Sequence, residues 1–283
     1  MVEKENNNMV RLVTDSSADL PEEFLEKYHI AVVPLNIYIQ GKEFQEGENI
    51  TSKEFFNKMF SSDELPKTSQ PSPLAFANAF KQFSKDDEIL CLTISSGLSG
   101  TYQSACVGKN MCGLSVTVFD TLAGSLGHGI LILKAAELAL KGLKVNEIVN
   151  ELNSCLKSMN ILILLNTLEN IVKGGRLNRF QGSIAKILNL KILLEGVHGK
   201  VVLIGKTRGK KKFLNKVLDV IGERKKDFSD TILGITHVDN LADVEYIKNE
   251  IINRFHPKDI IINDMGATMS TYAGKGGMII SFY

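Results

Sequence analysis

Ile89-Leu90-Cys91-Leu92-Thr93-Ile94-Ser95-Ser96-Gly97-Leu98-Ser99-Gly100-Thr101-Tyr102-Gln103-Ser104-Ala105 is the stretch on which the fold turns. Its first six residues are apolar or β-branched and read as a buried strand. Tyr102 to Met111 can be helical, and between strand and helix stand only hydroxyl residues, glycines and one leucine. Such a strand–loop–helix layout aims hydroxyls and backbone N–H groups at the positive end of a helix, where an anion is favoured. The same residue types also serve an ordinary N-cap in a tight connection. An anion site and a plain cap therefore stand side by side at this point.

Outward from that stretch, strand and helix patterns alternate. Val10 to Thr14 is a buried-strand pattern, followed by Asp15-Ser16-Ser17-Ala18-Asp19-Leu20-Pro21 and a helix through Tyr28. Asp19 is suited to cap that helix, with Pro21 in its first turn. Ile30 to Ile39 reads as a strand, and Thr51-x-x-Glu54 is a capping box for a helix to Phe60. Three prolines in Leu65-Pro66-Lys67-Thr68-Ser69-Gln70-Pro71-Ser72-Pro73 forbid a helix there and enforce an extended loop. Ser72-Pro73 then opens a helix bearing Phe76, Phe80 and Phe83. Val116 to Phe119 is a strand ending in Asp120-Thr121, and a long apolar helix runs on to about Leu140. Gly124, Gly127 and Gly129 make its first turns slim, at roughly 1 kcal/mol each. Close packing, a ligand passing nearby or an irregular helix start would each account for them. Val145 to Leu156 is an amphipathic helix. The alternation predicts a parallel sheet covered on both faces, with ligands at the carboxyl ends of its strands. Asp15-Ser16-Ser17, Ser95-Ser96-Gly97 and Asp120-Thr121 fall at such ends.

The second half follows another pattern. Ile161 to Leu165 is a strand, Lys173-Gly174-Gly175-Arg176-Leu177 a turn, and Gln181-Gly182-Ser183 the start of a helix to Leu190. Lys191 to Glu195 and Lys200 to Ile204 flank Gly196-Val197-His198-Gly199, a hairpin signal. A basic amphipathic helix (Gly209 to Lys226), a strand (Thr231 to Thr236), a helix (Leu241 to Phe255) and strands at Ile260 to Asn263 and Met278 to Tyr283 complete it. The expected architecture is α/β in two domains. Residues 1–8 form a loose tail, 9–156 an N-terminal Rossmann-like parallel-sheet domain, and 157–283 a C-terminal domain with a mixed or antiparallel sheet and helices.

Composition narrows the function. The 283 residues are 44% hydrophobic and 23% charged with a net charge of +1, which argues against a general nucleic-acid binder. The balance is uneven: residues 156–283 carry 20 Lys/Arg against 12 Asp/Glu, whereas residues 1–155 carry 13 against 20. Cys91, Cys106, Cys112 and Cys155 form no C-x-x-C pair and read as reduced thiols of a cytoplasmic protein. No apolar run approaches the ~20 residues of a membrane span, and the first residues lack the apolar core of a signal peptide. Gly97-Leu98-Ser99-Gly100-Thr101 departs from the G-x-S-x-G elbow of serine hydrolases. Gly205-Lys206-Thr207 lacks the upstream glycine of a phosphate-binding loop. No G-x-G-x-x-G follows a strand, and the five histidines are scattered. His128 and His237 are the two that could line a site. With no legible triad or metal centre, a binding protein is favoured over an enzyme.

Taken together, Thr14 to Pro21, Pro66-Lys67-Thr68-Ser69-Gln70-Pro71-Ser72, Ser95 to Tyr102, Asp120-Thr121, Val172 to Leu177 with Phe180-Gln181-Gly182, and Lys206-x-Arg208-Gly209 resemble the DegV family in order and register from about residue 9 to 283. The resemblance implies a fatty-acid-binding protein, the lipid-carrying subunit of bacterial fatty acid kinase, with a long-chain fatty acid between its two domains. It implies a carboxylate held by Thr68 and Ser96, with Ser69 and Ser95 beside them and Arg176 close by. It also implies contacts from Arg179 and Arg208 to a separate ATP-dependent kinase subunit. The acyl phosphate made there would serve phospholipid synthesis. In that scheme the protein is not itself the catalyst, holds no cofactor beyond its fatty acid, and allows a transient membrane contact. Thr271-Tyr272-Ala273-Gly274-Lys275-Gly276 departs from the family, which carries a histidine where this chain has Tyr272. A phenol can still donate a hydrogen bond to a carboxylate, without charge near neutral pH.

Tail burial at ~0.8 kcal/mol per methylene would supply most of the affinity, and the hydroxyls would set register. The slim helix 122–133 and the helix 184–194 are the expected tail-lining regions. The cluster Arg176, Arg179, Arg208, Lys210, Lys211 and Lys212 reads as a solvated basic face or as a docking surface. Two further readings stay open: a serine-dependent acyl-ester hydrolase using Ser96 or Ser99, and a carrier of another apolar acid without a kinase partner.

Overall fold

The computed structural model describes residues 10–177 and 190–283. The first half holds β1 (Val10–Asp15), α1 (Glu22–Lys27), β2 (Ala31–Val33), β3 (Asn36–Ile39), β4 (Lys42–Gln45), α2 (Ser52–Phe60), β5 (Lys67–Ser69), α3 (Pro73–Phe80), β6 (Glu88–Thr93), α4 (Thr101–Cys112), β7 (Val116–Asp120), α5 (Leu126–Leu140) and α6 (Val145–Ser158). The second holds β8 (Asn160–Leu165), α7 (Glu169–Lys173), β9 (Lys191–Val197), β10 (Lys200–Thr207), α8 (Lys210–Arg224), β11 (Ile232–His237), α9 (Leu241–Phe255), β12 (Asp259–Asp264), α10 (Ala267–Ala273) and β13 (Met278–Phe282).

The apolar run that decides the fold is β6, at the centre of a parallel four-stranded sheet ordered β2-β1-β6-β7. Its side chains alternate in direction and both sets are buried, as a sheet covered on two faces requires. Ile89 and Cys91 pack with Phe76, Phe80 and Ala105 of α3 and α4. Leu90 and Leu92 pack on the opposite face with Leu126, Leu131 and Ile148 of α5 and α6. A second sheet of six strands, ordered β10-β9-β8-β13-β11-β12, is antiparallel apart from its β11–β12 pair. The chain is thus a two-domain α/β fold with one parallel and one mixed sheet. Helix α5 is the shared wall, packing on β1 and β6 of the first sheet and on β11 and β13 of the second. That position explains its glycines through close approach: a side chain at Gly127 would meet Ile161 and the Ser281 hydroxyl. The helix begins at Leu126, after positive-φ residues at Leu122 and Ser125. Its start is therefore later and more irregular than the apolar run suggests.

Three features differ from expectation. The run Ile30 to Ile39 is not one strand. Pro34, which has no N–H to give a ladder, separates β2 of the parallel sheet from β3, which belongs to a third, antiparallel sheet ordered β4-β3-β5. The proline-stiffened loop supplies β5 of that sheet, pairing Thr68 with Ile37. Asp19 does not cap α1, whose N-cap is Pro21 without a side-chain bond. Its backbone is left-handed (φ 52°) and its carboxylate is buried. The capping box of α2 and the Ser72 cap of α3 form as read. The helix expected from Gln181 to Leu190 lies outside the described residues, except Leu190 itself, which precedes β9 and is not helical.

Candidate functional site

An apolar cavity lies against the face of β8 that carries Ile161, Ile163 and Leu165, and is closed on the other side by the loops that follow β6 and β7 (Ile94, Leu98, Leu122 to Gly124). The third sheet contributes Thr68, the loop after β6 Leu98 and Ser99, and the hairpin β9–β10 Gly199 to Val201. Helix α10 contributes Thr268, Met269 and Tyr272. Of the regions expected to line a tail, Leu122, Ala123 and Gly124 do so. Residues 125–133 and 190–194 do not line it, 191–194 being part of β9, and residues 184–189 lie outside the described part.

On this lining three expected residues converge. Thr68 Oγ1 and Tyr272 Oη lie 2.6 Å apart, in a hydrogen bond that either can donate. The Arg176 guanidinium stacks on the Tyr272 ring, its central carbon 4.8 Å from the centroid. Arg176 is oriented by two carbonyls, donating from Nη1 to Gly174 (2.6 Å) and from Nε to Leu98 (3.4 Å). The first glycine of Lys173-Gly174-Gly175-Arg176 is explained by the same contact. A Cβ at Gly174 would come within 2.5 Å of two Tyr272 ring carbons. The turn, the arginine and the tyrosine are therefore one packed unit.

The serines of the loop are placed differently. Ser95 is fully buried; its Oγ donates to the Gly199 carbonyl at the hairpin tip (2.7 Å) and accepts from the Gly97 N–H (3.1 Å). A Cβ at Gly97 would run into that same carbonyl oxygen, so the loop and the hairpin meet backbone to backbone. Ser96 is exposed, lies outside the cavity lining, and gives its N–H to Asp120 (3.1 Å). Ser69 is partly buried and accepts from Asn36 Nδ2 (3.4 Å). The loop does gather carboxylates, but they are the protein's own. Asp15 accepts from the Ile94 N–H (2.8 Å), and Asp120 from Ser96 and Leu122.

Ser99 reaches the lining and shares a hydrogen bond with Thr101 (2.9 Å). Among the described residues no histidine or carboxylate bonds the hydroxyl of Ser96 or Ser99. Gln70 links the two motifs, lying against Gly100 and donating to Ser104 (2.8 Å). Neither flagged histidine lines the cavity. His128 is buried between Thr14 (3.1 Å) and the Leu92 carbonyl (3.2 Å), and burial pushes its pKa below the usual value. His237 faces Asp264 at 3.7 Å. Arg208 is exposed between β10 and α8, Lys210 pairs with Asp243, and Arg179 lies outside the described residues. Thr268, Met269 and Lys200 were not anticipated at the cavity. Among the described residues no group of three His, Cys, Asp or Glu side chains could hold a metal ion, and no helix is long and apolar enough to cross a membrane.

Fold and site together define a class: a two-domain α/β protein with an apolar pocket whose lining includes the polar cluster of Thr68, Tyr272 and Arg176. A family model described as "Uncharacterised protein, DegV family" matches residues 9–283. The chain belongs to the DegV family. A DegV domain-containing protein of Caldanaerobacter subterraneus subsp. tengcongensis is 33% identical over 275 residues, 96% of this chain and 98% of the relative. A Thermus thermophilus structure, described as fatty acid binding of a DegV family protein, superposes with a TM-score of 0.91 at 31% identity, covering 97% of this chain and 99% of that one. A DegV family protein from Eubacterium eligens, loaded with heptadecanoic acid, superposes with a TM-score of 0.85 at 27% identity, covering 96% and 98%.

Proposed function

We propose that this protein binds a long-chain fatty acid in the apolar cavity against β8 and presents the carboxylate to a separate ATP-dependent kinase subunit. The observation that carries the reading is an apolar cavity whose lining includes the Thr68–Tyr272–Arg176 cluster. A carboxylate entering there accepts one bond from Thr68 Oγ1 and one from Tyr272 Oη, replacing their mutual bond with two charge-assisted ones of roughly 1.5–3 kcal/mol each. Arg176, held by Gly174 and Leu98, adds a fixed positive charge beside the group. The tail lies along Ile161, Ile163 and Leu165, where about fourteen buried methylenes at ~0.8 kcal/mol contribute most of the affinity before the costs of binding. Solved relatives described as fatty acid binding support this reading.

In this reading the protein is a cytoplasmic lipid-binding subunit whose only bound group is the fatty acid. The phosphoryl transfer takes place on the kinase, and the acyl phosphate goes to phospholipid synthesis. Exposed Arg208, with Arg179, belongs to the docking face for the kinase, and contact with a membrane is transient. Ser95 and Ser69 stand behind the grip, and Ser96 at its outer edge. Solvent extraction of purified protein followed by mass spectrometry tests the central claim. Stoichiometric long-chain fatty acid is expected. Protein that carries none and takes up none when offered would end the reading.

A further inference from the structure

The motif Asp15-Ser16-Ser17-Ala18-Asp19 is not used by the cavity, yet its last residue lies in a polar corner where three parts of the fold meet. Asp19 follows β1 of the parallel sheet, Glu46 follows β4 of the third sheet, and Gly266 precedes α10 on the second domain. Asp19 accepts from the Gly266 N–H (2.9 Å) and the Ser125 hydroxyl (2.6 Å). Glu46 accepts from the Thr268 N–H (2.7 Å), the Thr268 hydroxyl (2.6 Å) and the Ser16 hydroxyl (2.6 Å). Both side chains are buried, and among the described residues neither forms an ion pair. Two carboxylates thus hold the first backbone N–H groups of α10, the ends a helix leaves unpaired. The space around Gly266 is filled by the same pair, since a Cβ there would lie 2.5 and 2.6 Å from their oxygens. Helix α10 carries Thr268, Met269 and Tyr272 into the cavity.

We propose that Asp19 and Glu46 are positioning residues of the ligand site: they form a proton-dependent latch that fixes α10 and, through it, the Tyr272 hydroxyl against Thr68. The consequence for the ligand rests on the function proposed above; the latch itself does not. Burial raises both carboxyls above their usual range, well above it for Asp19. Glu46 beside Asp19 raises it further, and the hydrogen bonds oppose the shift. Asp15 adds to both through its charge. The other titratable groups on the packed elements are Glu48 and Asp264, which line the same cleft, His237 beside Asp264, and His128, which faces Asp15 from α5. A carboxyl with a raised pKa in the closed arrangement holds its proton more tightly there than in water. Closure is therefore strongest in acid and weakens as pH rises from the ordinary carboxylate value through the raised one.

The test is hydrogen exchange of the 266–273 segment in ligand-free protein, corrected for intrinsic rates, between pH about 5 and about 8. Protection of this segment in the wild type is expected to fall several-fold with rising pH. In Asp19→Asn/Glu46→Gln, whose amide oxygens still accept from Gly266 and Thr268, it should stay flat. Parallel profiles in the two proteins would overturn the latch. Should the double variant not fold, Glu46→Gln alone is expected to flatten the profile in part, and no flattening would again overturn it. A second readout is the affinity for a fluorescent long-chain fatty acid over the same range, expected to weaken several-fold in the wild type and to hold in the variant. A wild type that binds no fatty acid at any pH would defeat the proposed function, and the exchange profile would still decide the latch.

Discussion

Two hydroxyl-bearing segments meet at the cavity, and the fold uses them in opposite ways. Thr68, on β5, spends its hydroxyl on a residue 204 positions away, Tyr272, whose own hydroxyl is its partner. That bond joins two neutral groups, each able to turn and donate to an incoming anion. Ser95, at the end of β6, spends its hydroxyl on backbone: it gives to Gly199 and takes from Gly97. The Gly199 carbonyl is buried with that hydroxyl, so the bond holds loop and hairpin together. The first segment is built to exchange partners and the second to keep them. Hydroxyl residues at a strand end are therefore not equivalent, and what each one pairs with decides whether it can grip a ligand.

The largest effect expected from this contrast is on affinity. Tyr272→Phe and Thr68→Val each remove one donor while keeping shape. Each is expected to weaken a long-chain carboxylate roughly 10- to 100-fold, the equivalent of one charge-assisted hydrogen bond. The methyl ester of the same acid, which lacks the anion, should lose far less, and displacement titrations of both ligands give the difference. Equal losses for acid and ester would mean that the cluster only shapes the cavity. Ser95→Ala should act on stability instead. It leaves the buried Gly199 carbonyl without its partner, at a cost of about 1–3 kcal/mol, read as a lower urea midpoint with an unchanged slope. An unchanged midpoint would show that the hairpin is held by packing alone.

How far the site could be read from sequence follows from the same physics. The parallel sheet was legible because Ile89, Leu90, Cys91 and Leu92 are apolar without alternation, which only a strand covered on both faces tolerates. Thr68 and Arg176 came from motif resemblance, and Tyr272 from a departure within one. Their meeting at one head group came from the same resemblance; the pattern of the residues themselves could not show it, since it joins the third sheet to α10 and neither element was anticipated. Pro34 hid the third sheet by splitting an apparently continuous strand. Helix α10 has seven residues, Ala267-Thr268-Met269-Ser270-Thr271-Tyr272-Ala273, between glycines at 266 and 274. That is too short and too rich in hydroxyls to show an apolar stripe. The cavity wall was hidden for a different reason. Ile161, Ile163 and Leu165 face the cavity and Leu162 and Leu164 face the core beneath α8 and α9, so both sets are apolar and nothing marks which face a ligand would touch. Asp19 misled because a carboxylate ahead of a helix is an ordinary cap, and only the fold shows it buried beside Glu46.

The smallest expected effect concerns Ser96, and it sharpens the comparison most. The family resemblance gives Ser96 a place at the head group, whereas its side chain is exposed and outside the cavity lining. What Ser96 contributes in the closed arrangement is its backbone N–H to Asp120, and a substitution keeps that bond. Ser96→Ala is therefore expected to change stability by no more than about 0.5 kcal/mol, as at other exposed positions away from caps and cores. Fatty-acid affinity should change only a few-fold. The matching substitution at Ser99, which does reach the lining, should weaken binding more. If Ser96→Ala instead costs as much affinity as Tyr272→Phe, the loop must turn its outer serine inward when the carboxylate arrives. The Ser95–Gly199 bond, on which that turn would pull, would then be part of the grip and not merely its support.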